Sequence, residues 1–251
     1  MRPVINAICI FLLSCMLAVG ALAQEDNGAN IGRGYLVDVK DGHGADFEAG
    51  AEAYINCYAD NGGNKGWGVY SAETGKLGRY AFLTVGHEWA AFDESDEADQ
   101  ACEEIFEKQF LPHVARASSQ FTARMDELSR FSDGDYSIFQ VIHFKVENAY
   151  RFIGAISRIT EAAREAEWGN FVWYNVIAGG RHGSDFHVAI PGKNFAAFDN
   201  DDAPLWQMVA SVHGEDGAEN IRAELDATVK HQWSEIWRVR EALSYQPESE
   251  D

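Results

Sequence analysis

The sequence predicts an α+β protein that contains two copies of one structural unit in tandem. Residues 67–96 align without a gap with residues 173–202, and eight of the 30 aligned pairs are identical. Around these stretches, strand-like and helical segments follow one another in the same order, as expected for an internal repeat. Hydrophobic residues make up 46% of the chain and aromatic residues 12%, so there is enough apolar material for a packed core.

The chain carries a large negative charge. Its 251 residues include 40 acidic and 20 basic side chains, which gives a formal net charge of −20. Proteins that bind nucleic acid or anionic membranes neutralise phosphates with lysine and arginine. The composition therefore argues against both kinds of partner.

The first 23 residues have the pattern of a secretory signal peptide. Arg2 precedes an apolar run of about 16 residues, which is shorter than the ~20 that a membrane-spanning helix needs. The small residues Ala21 and Ala23 form an A-x-A cleavage site. We expect cleavage after Ala23, export to the periplasm or the outside of the cell, and no membrane attachment afterwards. A lipoprotein signal that uses Cys15 is the alternative.

Cleavage at this site would leave two cysteines, Cys57 and Cys102. In an oxidising compartment we expect them to form one disulfide, and two buried free thiols are the alternative. The sequence contains no cysteine and histidine pattern with the spacing of a zinc site. We therefore expect no metal ion.

The first unit begins with β-branched and aromatic residues at 35–40, which predict a strand. Apolar residues at helical spacing over 47–58 predict a helix. The glycines in 61–63 end this helix, because glycine tolerates the positive φ of a helix C-terminus. Two further strands are predicted at 66–72 and 80–86, and the glycine between them indicates a hairpin.

The second unit repeats this pattern. A strand is predicted at 140–145, a helix at 149–163, and a hairpin of two strands at 171–177 and 185–191. We expect the two units to span 34–131 and 136–245. The segment 24–33 before them and the acidic tail 246–251 after them are expected to be mobile.

Each unit is predicted to end in a helix. Apolar residues at helical spacing run from 105 to 128 in the first unit, with Pro112 interrupting them, and from 221 to 243 in the second. Each unit is then β-α-β-β-α, one strand short of the split β-α-β arrangement. A brief fourth strand is expected around Ala90–Phe92 and around Ala196–Phe198.

Two motifs resemble those of known modules. In Val39–Glu48 a strand is followed by a glycine and then by a helix that begins near a phenylalanine, which is similar to the start of NIPSNAP-like and antibiotic-biosynthesis-monooxygenase-like modules. Trp89–Asp93 is similar to the W-x-x-F motif at the end of such modules. With the repeat, they resemble the dimeric α/β-barrel superfamily, in which two ferredoxin-like modules join their sheets. The resemblance implies one pseudo-symmetric α/β barrel, for which a monomer suffices. It implies no single activity, because the superfamily includes oxygenases, haem proteins and isomerases.

Polar residues on one face of the predicted strands form the candidate ligand site. Strand alternation places His143 on the face opposite its apolar neighbours, with Asp38 as its counterpart in the first unit. If these faces meet inside a barrel, the pocket is lined by Asp38, Lys40, His143, Lys145, His187 and either Tyr174 or Asn175. A carboxylate beside an imidazole is a general acid–base pair, so His143 with Asp38 is the candidate catalytic pair. A solvated face and a buried polar network are the alternatives.

The other histidines are expected to lie at the surface. His43 falls in the glycine-rich loop before the first helix, and the others fall in turns or at helix edges: His87, His113, His182, His213 and His231. The sequence has no H-E-x-x-H, G-x-S-x-G or phosphate-binding loop motif. The acidic run 93–99 lacks the spacing of a calcium-binding loop.

Three functions are open. The leading hypothesis is an exported protein that binds a small, partly apolar molecule in the barrel. The second is a cofactor-free monooxygenase or isomerase that uses His143 with Asp38. A haem-dependent variant is more remote, because no axial histidine can be singled out. The third is a structural or interaction protein whose barrel is filled with side chains.

Overall fold

The computed structural model describes residues 30–132, 134–180, 183–199 and 204–247. The signal peptide, His182 and the end of the acidic tail, as predicted from sequence, lie outside these ranges. None of the described helices combines the length and the apolar content that crossing a membrane would require.

Two sets of elements follow one another in the same order. The first set comprises β1 (Ile31–Val39), α1 (Gly44–Asp60), β2 (Gly68–Ala72), β3 (Arg79–His87), the short helices α2 (Glu97–Ala101) and α3 (Glu103–Ile105), and β4 (Val114–Arg124). The second set comprises β5 (Ile138–Val146), α4 (Ala149–Glu165), β6 (Val172–Ala178), β7 (Phe186–Gly192), α5 (Leu205–Thr228) and β8 (Val229–Val239). The first helix and first three strands predicted for each unit are thereby confirmed. Because β1 begins at Ile31, the last residues of the segment expected to be mobile belong to a strand.

All eight strands belong to one antiparallel sheet. Their order is β1-β3-β2-β8-β5-β7-β6-β4, and β4 pairs with β1, so the strand pairing closes into a barrel. Each set contributes four neighbouring strands, in the orders β4-β1-β3-β2 and β8-β5-β7-β6. The sets meet where β2 pairs with β8 and where β4 pairs with β6. The predicted α+β class is confirmed.

The fourth strand of each set corrects the sequence prediction. β4 and β8 lie where we expected a continuing helix, whereas Ala90–Phe92 and Ala196–Phe198 lie in short 3-10 helices. Residues four apart, such as Trp233 and Trp237, share one face of a helix. They also share one face of a strand, because four is a multiple of the strand period of two. The spacing alone therefore could not separate the two structures.

The strand pairing also corrects the alignment of the two units. Trp67 and Phe171 each form a single bridge just before β2 and β6, with Tyr245 and Arg130 respectively. Trp67 therefore occupies the position of Phe171, and not that of Trp173 as in the gap-free alignment. The two hairpins differ in length, so the alignment needs a gap between their strands.

Both sets pack their helices on the outer face of the sheet. The core of the second set is continuous and includes Phe144, Phe152, Phe186, Met208, Val209 and Ile221. The core of the first set is smaller and includes Val37, Phe47, Val69, Tyr80, Phe110 and Leu243. Phe47 and Phe152, near the starts of α1 and α4, are both fully buried. Burying a phenylalanine side chain contributes about 2–3 kcal/mol, so these residues hold each first helix on the sheet.

Candidate functional site

A cavity of 660 Å³ lies between α1 and the outer face of the first set's strands. Its floor is formed by side chains of β1, β3 and β4, namely Tyr35, Val37, Phe82, Thr84, Val114 and Ala117. Its cover is formed by α1 and by the segment before β4, with Ala51, Tyr54, Ile55, Phe106, Phe110 and Leu111. Most of these side chains are apolar or aromatic.

The cavity exists because the cover of the first set is built from short pieces. In the second set, α5 covers 24 residues in two helical segments that meet at a kink at Gly214, and its first segment packs Met208 and Val209 into the core. In the first set, α2 and α3 have five and three residues, and a single π turn at Phe106–Phe110 follows them. Gly50 brings α1 against this turn, since a Cβ there would lie 2.0 Å from the carbonyl oxygen of Gln109.

One disulfide holds the cover together. Cys57 near the end of α1 is bonded to Cys102, between α2 and α3, with an S–S distance of 2.05 Å. Cys102 is fully buried and packs with Tyr58 and Ala98. The disulfide therefore ties α1 to the segment that closes the cavity from the other side.

The charged groups of the cavity lie at one side, which we call its acidic side. Tyr54 donates a hydrogen bond of 2.5 Å to the carboxylate of Asp99, and Glu103 lines the same side. Burial, together with the bond to Asp99, raises the pKa of Tyr54 far above its ordinary value of 10.0, so the phenol stays protonated. The two carboxylates disfavour an anionic group on any ligand at this side.

A cation lies beside the aromatic floor. The guanidinium carbon of Arg33 is 4.7 Å from the ring centre of Tyr35 and 5.2 Å from that of Phe121. The Nε atom of Arg33 is buried and has no hydrogen-bond partner among the described residues. Leaving such a donor unpaired costs free energy. Arg33 itself is not among the residues that line the cavity.

Haem, the remote expectation from the sequence, requires an axial ligand from the protein. An axial ligand is ordinarily an imidazole, a thiolate, a thioether or a phenolate. None of the described residues that line the cavity is a histidine, cysteine or methionine. Tyr54 is held as a neutral phenol by Asp99. The lining therefore offers haem none of its usual nitrogen or sulfur ligands, and Tyr35 is the remaining phenol.

The residues predicted to line the barrel separate into groups. His143 stacks on Trp233 with ring centres 5.0 Å apart, and His187 stacks on Tyr174 at the same distance. The two histidine rings are 5.6 Å apart. These four rings share the inside of the barrel, because strand pairing places each opposite another. The Nε2 atom of His143 and the Nδ1 atom of His187 are buried and have no hydrogen-bond partner among the described residues.

The candidate catalytic pair is not formed. Asp38 is engaged by Lys76 at 2.5 Å and by Arg79 at 2.7 Å, whereas the carboxylate near His143 is that of Glu235, at 3.6 Å. Burial alone would raise the pKa of Asp38, but the hydrogen bonds and charges of Arg79 and Lys76 outweigh it and lower the pKa. An ion-paired carboxylate with a lowered pKa is a weak base.

The two lysines of the predicted site lie elsewhere. Lys145 pairs with Asp185 at 2.6 Å, where Asp185 immediately precedes β7. Asp38 and Arg79 pair across β1 and β3, so Lys145 with Asp185 is the same bridge with the charges reversed. Lys145, and not His143, is therefore the counterpart of Asp38. Lys40 is exposed, and its Nζ donates to a backbone carbonyl before β4.

We expect Asp38→Asn to lower the free energy of unfolding by about 2 kcal/mol, because it leaves Arg79 partly buried without a charged partner. We expect a moderate loss because Lys76, the other partner of Asp38, is half-exposed and can be solvated by water. Chemical denaturation at pH 7 measures the change. Asp126→Asn removes an exposed ion pair with Arg124 and is expected to change stability by less than about 1 kcal/mol. Equal effects of the two substitutions would contradict the prediction.

Comparisons with known proteins identify the fold. No family model matches the sequence, and a search of curated proteins finds no relative. Among solved structures, a candidate monooxygenase from Lactobacillus acidophilus NCFM matches with a TM-score of 0.53 and 12% identity, over 84% of this chain and 94% of that one. An anthrone oxidase-like protein matches with a TM-score of 0.52 and 13% identity, over 86% and 93%.

Chlorite dismutase from Candidatus Nitrospira defluvii, in complex with imidazole, matches with a TM-score of 0.50 and 10% identity, over 86% of this chain and 93% of that one. At such low identities the similarity shows the fold alone. The ferredoxin-like fold implied by the sequence motifs is confirmed.

Sequence reasoning missed the cavity residues. Helical spacing identifies Tyr54 only as one position of the helix predicted over 47–58. Asp99 is part of the acidic run 93–99. No spacing in the sequence connects them, since they are 45 residues apart. The one available signal was the contrast between a proline-interrupted apolar pattern in the first unit and an uninterrupted one in the second.

Proposed function

We propose that the chain is an exported, monomeric protein that binds a small, largely apolar molecule in the cavity under α1. The observation that carries this proposal is the cavity itself, which apolar and aromatic side chains line for the most part. Ligand sites of soluble proteins typically measure about 300–1,000 Å³ and are mostly apolar with a few polar groups, and this cavity has both properties. We interpret the two units as copies of one duplicated, pseudo-symmetric module, and we place the ligand in the first.

The ligand chemistry follows from the lining. The apolar and aromatic floor favours a flat or aliphatic body, and the acidic side excludes a carboxylate or phosphate there. Thr84 and Gln100, which line the cavity, offer hydrogen-bond donors that suit a carbonyl or phenolic oxygen. The proposal is thus a neutral molecule with an apolar body and one oxygen acceptor.

Blocking the cavity tests the proposal. Ala117 lines the floor on β4, and Ala117→Trp is expected to weaken binding of the neutral probe N-phenyl-1-naphthylamine at least about tenfold, because the indole occupies the probe's volume. Fluorescence titration measures the affinity. Ala115→Trp, an exposed position on the same strand outside the lining, is the matched control and should leave the affinity unchanged. Equal affinities of the protein and both variants would overturn the site.

A second candidate is a cofactor-free monooxygenase. The observation in its favour is the Tyr54–Asp99 pair inside the cavity, since Asp99 could accept a proton from a ligand held against Tyr54. The similar structures include an anthrone oxidase-like protein, so anthrone is a suitable trial substrate. Oxygen consumption that disappears in Asp99→Asn, while anthrone still binds, would favour the enzyme. Binding without turnover would favour a binding protein.

The proposal of export is supported by the disulfide, because such bonds persist in oxidising compartments. Mass spectrometry of protein recovered from the periplasm or medium checks it. A mature chain that begins at Gln24 is expected, and an intact N-terminus would contradict cleavage. Size-exclusion chromatography with light scattering of the same material checks the monomer.

A further inference from the structure

We propose that His43, His113 and Asp46 form a binding site for a divalent transition-metal ion. The Nδ1 atoms of His43 and His113 lie 2.9 Å apart. One ligand atom from each of the three residues lies within 4.8 Å of the others. The two histidines are 70 positions apart in the sequence, so tertiary structure alone brings them together. This corrects the expectation of two unrelated surface histidines.

The backbone around both histidines is fixed by hydrogen bonds. The backbone N–H of Lys40 donates to the carbonyl of His113 at 2.9 Å, and the N–H of His43 donates to the carbonyl of Lys40 at 3.0 Å. The Nζ of Lys40 donates to the carbonyl of Pro112 at 2.5 Å. Because both imidazoles are also half-buried, little conformational freedom is left to lose when an ion binds.

The donor set and its geometry fit a transition metal. Two imidazoles with one carboxylate suit zinc, nickel and copper better than calcium or magnesium, which prefer oxygen ligands. At a metal–nitrogen distance of about 2.05 Å, two nitrogens 2.9 Å apart subtend about 90° at the ion. This is the angle of neighbouring ligands in octahedral and square-planar complexes, and a small widening gives the tetrahedral angle of zinc. Water would complete the coordination.

The local charges are balanced. Lys40 and the N-terminus of α1 disfavour a cation, since a helix N-terminus carries partial positive charge. The carboxylates of Asp41 and Asp46, both exposed, offset them. Asp46 lies in the first turn of α1, on the same segment as His43. The site therefore carries no net repulsion against a divalent ion.

The position of the site indicates what the ion would do. His113 lies between Leu111 and Val114, which both line the cavity, and His43 precedes the first turn of α1. The disulfide anchors the other end of α1 through Cys57. A bound ion would anchor the start of α1, so that both ends of the cavity cover are held. The inference does not depend on what the cavity binds.

Isothermal titration of the purified protein, carrying no histidine tag, with zinc, nickel or copper chloride tests the site. We expect one ion per chain, and an affinity at least about tenfold lower in His43→Ala and in His113→Ala. Asp46→Asn should weaken binding several-fold. His231→Ala, at an exposed position on β8, is the matched control and should bind as the parent does. Failure to bind any of the three ions, or full affinity in both histidine variants, would overturn the proposal.

A measurement on the unmodified protein keeps the test valid if a variant fails to fold. Imidazole nitrogen NMR during zinc titration should perturb the signals of His43 and His113 first, and to saturation at one equivalent. Thermal melting should shift upwards with added zinc, because an ion that binds only the folded state stabilises it. Perturbation confined to other histidines would show that the metal binds elsewhere, and the proposed site would be wrong.

Discussion

Replacing Cys57 and Cys102 with alanine is expected to lower the free energy of unfolding by about 4 kcal/mol. The disulfide joins residues 45 positions apart, and closing a loop of that length removes conformational entropy from the unfolded chain. Urea denaturation at pH 7, fitted by linear extrapolation, measures the loss. The reduced wild-type protein should show the same stability as the double variant.

Two controls separate the cross-link from other effects. Because Cys102 is fully buried, a pair of serines adds the cost of buried hydroxyl groups and should destabilise further than the alanine pair. The single variant Cys57→Ala should lose nearly as much stability as the double variant, since either substitution removes the bond. A loss below about 1 kcal/mol in the alanine pair would show that the bond contributes little. Weaker binding of the neutral probe is also expected, because the bond holds the cavity cover.

Acidification below pH 6.5 is expected to destabilise the protein through His187. Burial, and secondarily the neighbouring His143, lower the pKa of His187 to about 3 from an ordinary value of 6.5. Between these two values the unfolded chain binds a proton that the folded protein does not, so stability falls as pH falls. The full slope is 1.36 kcal/mol per pH unit, and the unfolded histidine is half-protonated at pH 6.5, so the loss from pH 6.5 to 4.5 is about 2 kcal/mol. Well above pH 6.5 this group causes no further change.

The matched comparison is His187→Gln against His231→Gln. Glutamine does not titrate, so the first variant should lose most of the slope of stability between pH 6.5 and 4.5. His231 is exposed, and its replacement should leave the slope intact. Asp38 and Glu48 have lowered pKa values, so their contributions are lost only at lower pH. Denaturation midpoints at several pH values measure the slope, and an unchanged slope in His187→Gln would refute the assignment.

The elements that the sequence predicted well are those with an unambiguous period. The helix predicted at 149–163 corresponds to α4, which ends two residues later. Its apolar residues alternate between spacings of three and four, and only a helix places all of them on one face. β8 was missed because spacing by four satisfies both periods, and β4 because small and polar residues occupy most of its length and give no apolar alternation. The alternation of β1 and β5 correctly placed Asp38 and His143 on the inner face, since alternation depends on the chain alone.

The candidate site was harder to predict. His143, His187 and Tyr174 do gather inside the barrel, but they stack on one another and on Trp233. The polar side chains of a sheet face either contact a ligand or pack against one another. Which of the two occurs depends on the volume between the strands, and no local sequence pattern encodes that volume. The cavity under α1 depends on how the helical pieces of its cover meet the strands of its floor. These segments are far apart in the sequence, so no local pattern predicts the space between them.

By itself, the sequence determined the fold class, the order of the first elements in each unit and the pair of cysteines available for a disulfide. These depend on composition and on periods of two and 3.6, which act over neighbouring residues. The tertiary structure decided which carboxylate lies near His143, that a cavity lies under α1, and that His43 meets His113. Each of these depends on distances between segments remote in the chain, which are set only when the sheet closes and the helices pack on it.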